Sequence, residues 1–351
     1  MSWLTEIARP EIRALRPYEH AIWEPGLVRL HANELPWRPE GDVSEAGLNR
    51  YPEPHPLSLE AALAHLYGVE PSMLLAARGS DEAIDLLIRS YCRAGQDAIL
   101  VCPPTFGMYG VGARVQGAAV IEVPLQRDAG YACDFAAVQA QCAANVKLVF
   151  LCSPNNPTGN RFERASIIAL ARALQGRALL VIDEAYVEFA EAASLATELD
   201  ALPGLVVLRT LSKAYGLAGA RCGALLAHTD VVALLRKVIQ PYALTQLTIE
   251  AVFKSLAPAA LAAARAHAAA IWTERTRVAA ALRELRGVRR VWPSETNFLL
   301  VEFDDALGAQ RRAHDAGLLV RELRGYPGLQ QGLRVSVGAA LENERLLASL
   351  T

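Results

Sequence analysis

The chain has 351 residues, 52% of them apolar and 21% charged, the make-up of an ordinary globular protein with length for two or three domains. Lys+Arg 35 against Asp+Glu 37 leave a formal net charge of -2 and no dense basic block, so composition argues against nucleic acid or an anionic membrane surface as partner. The stretch Met1 to Leu15 mixes Glu6, Arg9, Glu11 and Arg13 among its apolar residues, unlike a signal peptide, and no run is long enough to span a bilayer; a cytoplasmic protein is expected.

In chain order, residues 1–45 come first, with prolines at 10, 17, 25, 36 and 39. They read as an irregular arm that wraps the surface, belongs with the small domain and helps form a site. Residues 46–245 read as one large α/β domain. Short apolar runs recur at Met73 to Ala76, Ala98 to Val101, Ala119 to Val123, Leu148 to Leu151, Leu179 to Ile182, Leu205 to Leu208 and Ala224 to Ala227. Helical patterns such as Glu82 to Cys92 and Arg164 to Leu174 lie between them. The alternation predicts a mostly parallel, seven-stranded sheet covered by helices on both faces. Residues 246–351 begin with an Ala- and Arg-rich helix, Ala259 to Leu285, long enough to bridge domains. Strands at Asn297 to Phe303 and Leu333 to Val337, around a helix at Ala306 to Ala316, complete a small α+β domain. The six cysteines, at 92, 102, 133, 142, 152 and 222, form no C-x-x-C pair and no metal-ligand spacing with histidine, so reduced thiols and no metal are expected.

Four constellations fall at strand ends, where open α/β sheets place their ligands. Gly79-Ser80-Asp81-Glu82 precedes a helix and reads either as a plain N-cap or as a phosphate cradle. Ser153-Pro154-Asn155-Asn156-Pro157-Thr158-Gly159 is a turn by composition, and it also holds the Asn156 amide as a neutral donor at the sheet edge. Asp183-Glu184-Ala185-Tyr186 offers a carboxylate that either caps a helix or pairs with a ring nitrogen, with the Tyr186 hydroxyl close by. The segment Arg209 to Arg221 follows a buried strand and surrounds Lys213 with Thr210, Ser212 and Arg221. An amine among small residues, hydroxyls and a cation suits Schiff-base chemistry beside an anion. Together the four match the needs of pyridoxal phosphate.

This order of motifs resembles the fold-type I pyridoxal-phosphate aminotransferases, and among them the histidinol-phosphate aminotransferase family. The resemblance runs nearly end to end, from Leu15-x-Pro17-Tyr18 and Ala32-Asn33-Glu34, through Asn49-Arg50-Tyr51-Pro52 and Pro104-Thr105-Phe106-Gly107-Met108-Tyr109, to Leu333-Arg334-Val335-Ser336-Val337-Gly338. It implies Lys213 as the Schiff-base lysine, Asp183 as partner of the pyridine nitrogen, Asn156 and Tyr186 at the phenolate oxygen, and Phe106 stacked on the ring. Ser80, Asp81, Thr210, Ser212 and Arg221 would hold the phosphate. Tyr51 would come from the second subunit of a homodimer, with Asn33 also at the substrate. Arg334 would bind the carboxylate of the amino donor, and Arg321 with Tyr18 would receive a substrate phosphate. The implied reaction moves an amino group between L-histidinol phosphate and 2-oxoglutarate, giving imidazole acetol phosphate and glutamate. His31, and Leu35-Pro36-Trp37 where Asn-Pro-Tyr is common, depart from the family pattern in the lid region. The rivals are a threonine-phosphate decarboxylase or aromatic aminotransferase on the same fold and a noncatalytic regulator. A nicotinamide dehydrogenase would need a G-x-G-x-x-G fingerprint, which the chain lacks.

Overall fold

The computed structural model describes residues 2–24 and 26–351. Met1 and Pro25 of the arm lie outside the described residues. The seven apolar runs all form strands: β1 (Leu74–Ala77), β2 (Ala98–Val101), β3 (Ala119–Glu122), β4 (Val146–Cys152), β5 (Leu179–Asp183), β6 (Leu205–Thr210) and β7 (Gly223–Ala227). They join in one sheet of order β1-β7-β6-β5-β4-β2-β3. β2 through β6 run parallel, and β7 alone is antiparallel to its neighbours, β1 and β6. Every residue of β5, β6 and β7 is buried, as expected of strands covered on both faces.

Two apolar layers enclose the sheet. One packs the helices Leu57–Tyr67 and Arg164–Leu174 on one face, with Leu59, Leu63, Ile167 and Leu170 in its centre. The other packs the helices Gly79–Tyr91, Met108–Gln116 and Thr229–Arg236 on the opposite face, through Ile84, Leu87, Ala113 and Val231. Because the helices cover both faces, ligands have access only at the strand ends.

The helix Pro258–Arg283 leads to a second sheet built from β8 (Val288–Val291), β9 (Phe298–Phe303), β10 (Arg321–Glu322) and β11 (Gly332–Ser336), in the order β10-β11-β9-β8 and antiparallel throughout. The helices Ala306–Asp315 and Ala340–Leu350 pack against it, with Val278, Leu282, Val301 and Leu346 in the core between. β8 and β10 add two strands to the two expected; the hydrophobic pattern does not signal β8, since Arg289 and Arg290 in its centre are exposed, and β10 is only two residues long.

The start of the arm departs from its expected place with the small domain. It forms short helices, Trp3–Glu6 and Pro10–Ala14, and Leu4 and Ala8 are buried in the second layer of the large domain. A Cβ on Gly204 would lie 2.8 Å from the Trp3 ring, so the indole sits directly over that glycine in the turn before β6. Lys237 Nζ donates to the Arg13 carbonyl at 3.0 Å and Arg9 to the Arg89 carbonyl at 2.8 Å, fastening the turn by side-chain bonds to backbone oxygens. Among the described residues no single helix is long and apolar enough to cross a membrane.

Candidate active site

The ends of β1, β2, β4, β5 and β6 open into one cavity at the large sheet. Its walls include Ser80, Asp81, Phe106, Asn156, Asp183, Tyr186, Thr210, Ser212, Lys213 and Arg221. These are all the cofactor residues expected from the sequence except Tyr51. Cys152, Ala185 and Ala218 complete the lining. Cys152 reads in the sequence as a small buried apolar residue; it is buried, and its thiol, pushed up by burial and by nearby Asp183, stays neutral.

One end of the cavity is rich in donors. The helix Gly79–Tyr91 begins here, so the N–H groups of its first turn have no partner within the helix and its dipole favours an anion. Arg221, in the left-handed region at φ 54°, donates to the Ser212 hydroxyl at 3.2 Å and to Asp81 at 3.1 Å. The Thr210 hydroxyl donates to Ser212 Oγ at 3.1 Å and accepts from the Ser212 N–H at 3.2 Å. Gly79 and Gly223 make this close approach possible. A Cβ on Gly79 would stand 2.9 Å from the Arg221 guanidinium, and one on Gly223 would stand 2.7 Å from the Arg209 carbonyl oxygen.

Asp183 ends β5 and is 2% exposed. Burial pushes its carboxyl up to about 6, against hydrogen bonds from Tyr109 and the Ala185 N–H that favour the ionised form. Tyr186 accepts from the Asn156 amide at 3.3 Å, and its ring packs edge-on to Phe298 of the small domain. Lys213 Nζ lies 5.7 Å from the centre of the Tyr186 ring. Burial first, then the positive charges of Arg334 and Arg221, lower the Lys213 pKa and leave more of the amine in its nucleophilic form.

The small domain contributes Arg334. Half-buried on β11, it donates to Asn156 Oδ1, so the large and small domains meet at this bond. Arg321 stands directly opposite Arg334 in the antiparallel pairing of β10 with β11. The two side chains therefore share one face of the sheet, a like-charge pair that costs stability unless an anion lies between them.

Besides Arg334, which reaches the wall at Asn156, four expected substrate residues are not among those that line this cavity: Arg321, exposed on β10, and Tyr18, Tyr51 and Asn33. Tyr18 and Tyr51 are exposed, and Asn33 adopts φ 57° in the arm. Tyr51 stacks on Tyr242 at 4.6 Å, and its N–H donates at 2.7 Å to Glu34 Oε1. The Glu34 carboxylate also pairs with Arg29 at 3.1 Å and Arg50 at 3.0 Å, which ties this part of the arm into a knot of its own. His31 bonds through Nε2 to the Ile22 carbonyl at 2.9 Å. Tyr109 was not among the expected site residues. It is fully buried and reads as a core aromatic, and only its place three residues after Phe106 in the Pro104 to Tyr109 motif hints at more.

The aminotransferase class I and II family matches residues 35–350. The histidinol-phosphate aminotransferase of Stenotrophomonas maltophilia is 47% identical over 349 residues, covering 98% of this chain and 96% of that protein. Among solved structures, the histidinol-phosphate aminotransferase from Sinorhizobium meliloti in complex with pyridoxal-5'-phosphate aligns with a TM-score of 0.79 at 27% identity, over 86% of this chain and 82% of that one. L-threonine-O-3-phosphate decarboxylase from Porphyromonas gingivalis aligns with a TM-score of 0.74 at 25% identity, over 86% and 90%.

Proposed function

The chain belongs to the class I and II aminotransferases, and from that premise we propose that it transfers an amino group between L-histidinol phosphate and 2-oxoglutarate with pyridoxal phosphate as cofactor. The observation that carries the reading is the single cavity that sets Lys213 and a buried carboxylate, Asp183, beside an anion cradle. Its donor set fits the cofactor. Arg221, Ser80, Ser212, Thr210 and the helix N-terminus suit the phosphate, Asp183 suits a protonated ring nitrogen, and Asn156 with Tyr186 suits the phenolate oxygen. Space for the phosphate is kept by Gly79, where any side chain would press on Arg221.

When bound, pyridoxal phosphate supplies an electron sink conjugated to the substrate's α-carbon. Asp183, as an anion, would favour a protonated ring nitrogen. Lys213 Nζ, its pKa lowered by burial and by nearby arginines, would be the amine that holds the cofactor and the group that takes and returns a proton at the substrate's α-carbon. Arg334 orients the substrate anion. One site serves both substrates in turn, which implies ping-pong kinetics.

The substrate assignment rests on the Arg321–Arg334 strand pair, whose Arg334 reaches Asn156 in the cavity wall, and on the resemblance to the Stenotrophomonas maltophilia enzyme. A guanidinium pairs with either the carboxylate of glutamate or the phosphate of histidinol phosphate. The active unit is a cytoplasmic homodimer. The arm leaves Ile22, Val28, Leu30, Trp37 and Val43 exposed, Leu30 at 91%, an apolar surface suited to burial against a second copy. In that assembly Tyr51 serves the partner's cavity.

The test has two arms. Borohydride should fix the cofactor on Lys213, found by peptide mapping, and a modified peptide elsewhere would overturn the cofactor reading. A panel of histidinol phosphate, histidinol, phenylalanine and tyrosine should show the highest kcat/KM for the phosphorylated donor. Equal or higher values for the aromatic amino acids would make the chain an aromatic aminotransferase, and CO2 release from threonine phosphate would make it a decarboxylase.

A further inference from the structure

Tyr109 is the second residue of the helix Met108–Gln116 and sits behind the cavity, out of reach of any substrate. Its ring lies face to face on Phe150 of β4, with centres 4.8 Å apart at 13°, and edge-on to Phe106 at 5.6 Å. Its hydroxyl donates to Asp183 Oδ2 at 2.8 Å, while Asp183 Oδ1 accepts from the Ala185 N–H at 3.1 Å. Among the described residues no other side chain donates to this carboxylate; the Cys152 thiol beside it points its hydrogen at the Pro154 carbonyl instead.

We propose that Tyr109 is a positioning residue for Asp183: its phenol holds the carboxylate anionic and turned toward the cavity, and the same turn of backbone brings Phe106 to the cavity wall. The proposal rests on the functional reading above and deepens it. A buried phenol is a fixed donor, since burial pushes Tyr109 far above the usual tyrosine range and it does not ionise in the working range. A donor of that kind stabilises the ionised acid and has nothing to offer a second proton donor without turning around. The groups that face Asp183 otherwise oppose one another. Lys213, after β6, favours its charge; Asp81, in the helix after β1, disfavours it. The Cys152 thiol on β4 and the Tyr186 phenol are themselves raised, mainly by burial and further by this carboxylate, so both remain neutral. The hydrogen bond from Tyr109 is thus the largest contribution holding Asp183 down against burial.

The experiment is Tyr109→Phe in the full protein, compared with wild type and Asp183→Asn. Two quantities are followed against pH: kcat/KM, and the affinity of the apoprotein for pyridoxal phosphate measured by equilibrium dialysis. Loss of one hydrogen bond to a charged group should move the acid limb of both curves up by about 1 to 2 pH units. The alkaline plateau should keep most of its height. In the Asp183→Asn background the same substitution should move neither curve. If the phenylalanine variant does not fold, 3-fluorotyrosine at position 109 replaces it. The more acidic phenol is a stronger donor, and the limb should move to lower pH. Unshifted limbs in a folded Tyr109→Phe or fluorotyrosine protein overturn the role of Tyr109, and a loss uniform in pH assigns it to packing alone, which also overturns it. Wild-type cofactor affinity and turnover in Asp183→Asn would instead sink the functional reading, so the two failures are distinguishable.

Discussion

Arg334→Ala tests the proposal that both half-reactions depend on one guanidinium. The side chain is half-buried, reaches from β11 to Asn156 on the large domain, and lies opposite Arg321. Truncating one partner of a desolvated charge pair costs roughly 2 to 5 kcal/mol, because the other charge is left without its fork. At 1.36 kcal/mol per factor of ten, kcat/KM should fall about 30-fold to several thousand-fold, for glutamate and for histidinol phosphate alike. The fold should not share in this loss. Removing a positive charge that faces another across a strand pair relieves repulsion, so stability should change by less than about 1 kcal/mol. Arg334→Lys keeps the charge but not the planar fork and should recover only part of the activity. Single-turnover measurements with each substrate separately read the two half-reactions, and thermal denaturation reads the fold. A loss confined to one substrate, or complete rescue by lysine, would refute the argument that a guanidinium fork serves both anions at one place.

Arg321 is exposed on β10 and outside the cavity lining, so Arg321→Ala should impair histidinol phosphate more than glutamate in the same assay; equal losses would remove it from the phosphate site. Lys213→Ala should fold, bind cofactor reversibly and lose turnover by about three orders of magnitude or more, as expected when a catalytic base is removed. In subunit mixing, Tyr51→Phe with Lys213→Ala should form hybrids holding one intact and one doubly damaged site, and no gain over the parents would end the cross-subunit role of Tyr51. Gly223→Ala should lower stability by about 1 to 3 kcal/mol in thermal denaturation, since its Cβ would meet the Arg209 carbonyl at 2.7 Å and the Gly79 backbone at 2.9 Å. Asp183, raised to about 6 from 3.8 by burial, binds its proton more tightly folded than unfolded. Its contribution is therefore full below pH 3.8 and is lost as pH rises through 6. Asp183→Asn should make the apoprotein more stable than wild type by roughly 2 to 4 kcal/mol at pH 8, with little difference at pH 4, and equal melting temperatures at both pH values would contradict the buried-carboxylate account.

Much of this was legible because the informative residues sit where two signals coincide. Each of the seven large-sheet strands is a short apolar run with no polar face to obscure it, and the motif residues follow those runs directly. Asp183, Thr210 and Lys213 could therefore be placed at strand ends before any fold was known. β8 was not legible, since its centre is Arg289 and Arg290 and its pairing with β9 is a tertiary fact. The packing of the arm's first turns on the large domain was missed for a similar reason. Trp3, Leu4 and Ala8 carry that contact, and nothing in a short apolar turn says which domain it covers. Tyr109 escaped because a buried aromatic on a helix has the same pattern whether its hydroxyl is idle or bonded. Only the 2.8 Å approach to Asp183 separates the two.

The residues that sequence reading finds most easily in this chain are also those least favourable to the empty fold. Lys213 is held where burial and two arginines disfavour its charge, and Asp183 is sunk in the sheet at the end of β5. Arg321 and Arg334 face each other across a strand pair. Each arrangement raises the energy of the protein alone and is relieved by one kind of ligand: a carbonyl for the amine, a protonated ring nitrogen for the carboxylate, an anion for the arginine pair. A scaffold selected for stability alone would have replaced them with apolar residues of similar volume. Their convergence on one cavity and its rim is therefore an argument about chemistry, and it holds whether or not the substrate assignment survives the panel of amino donors.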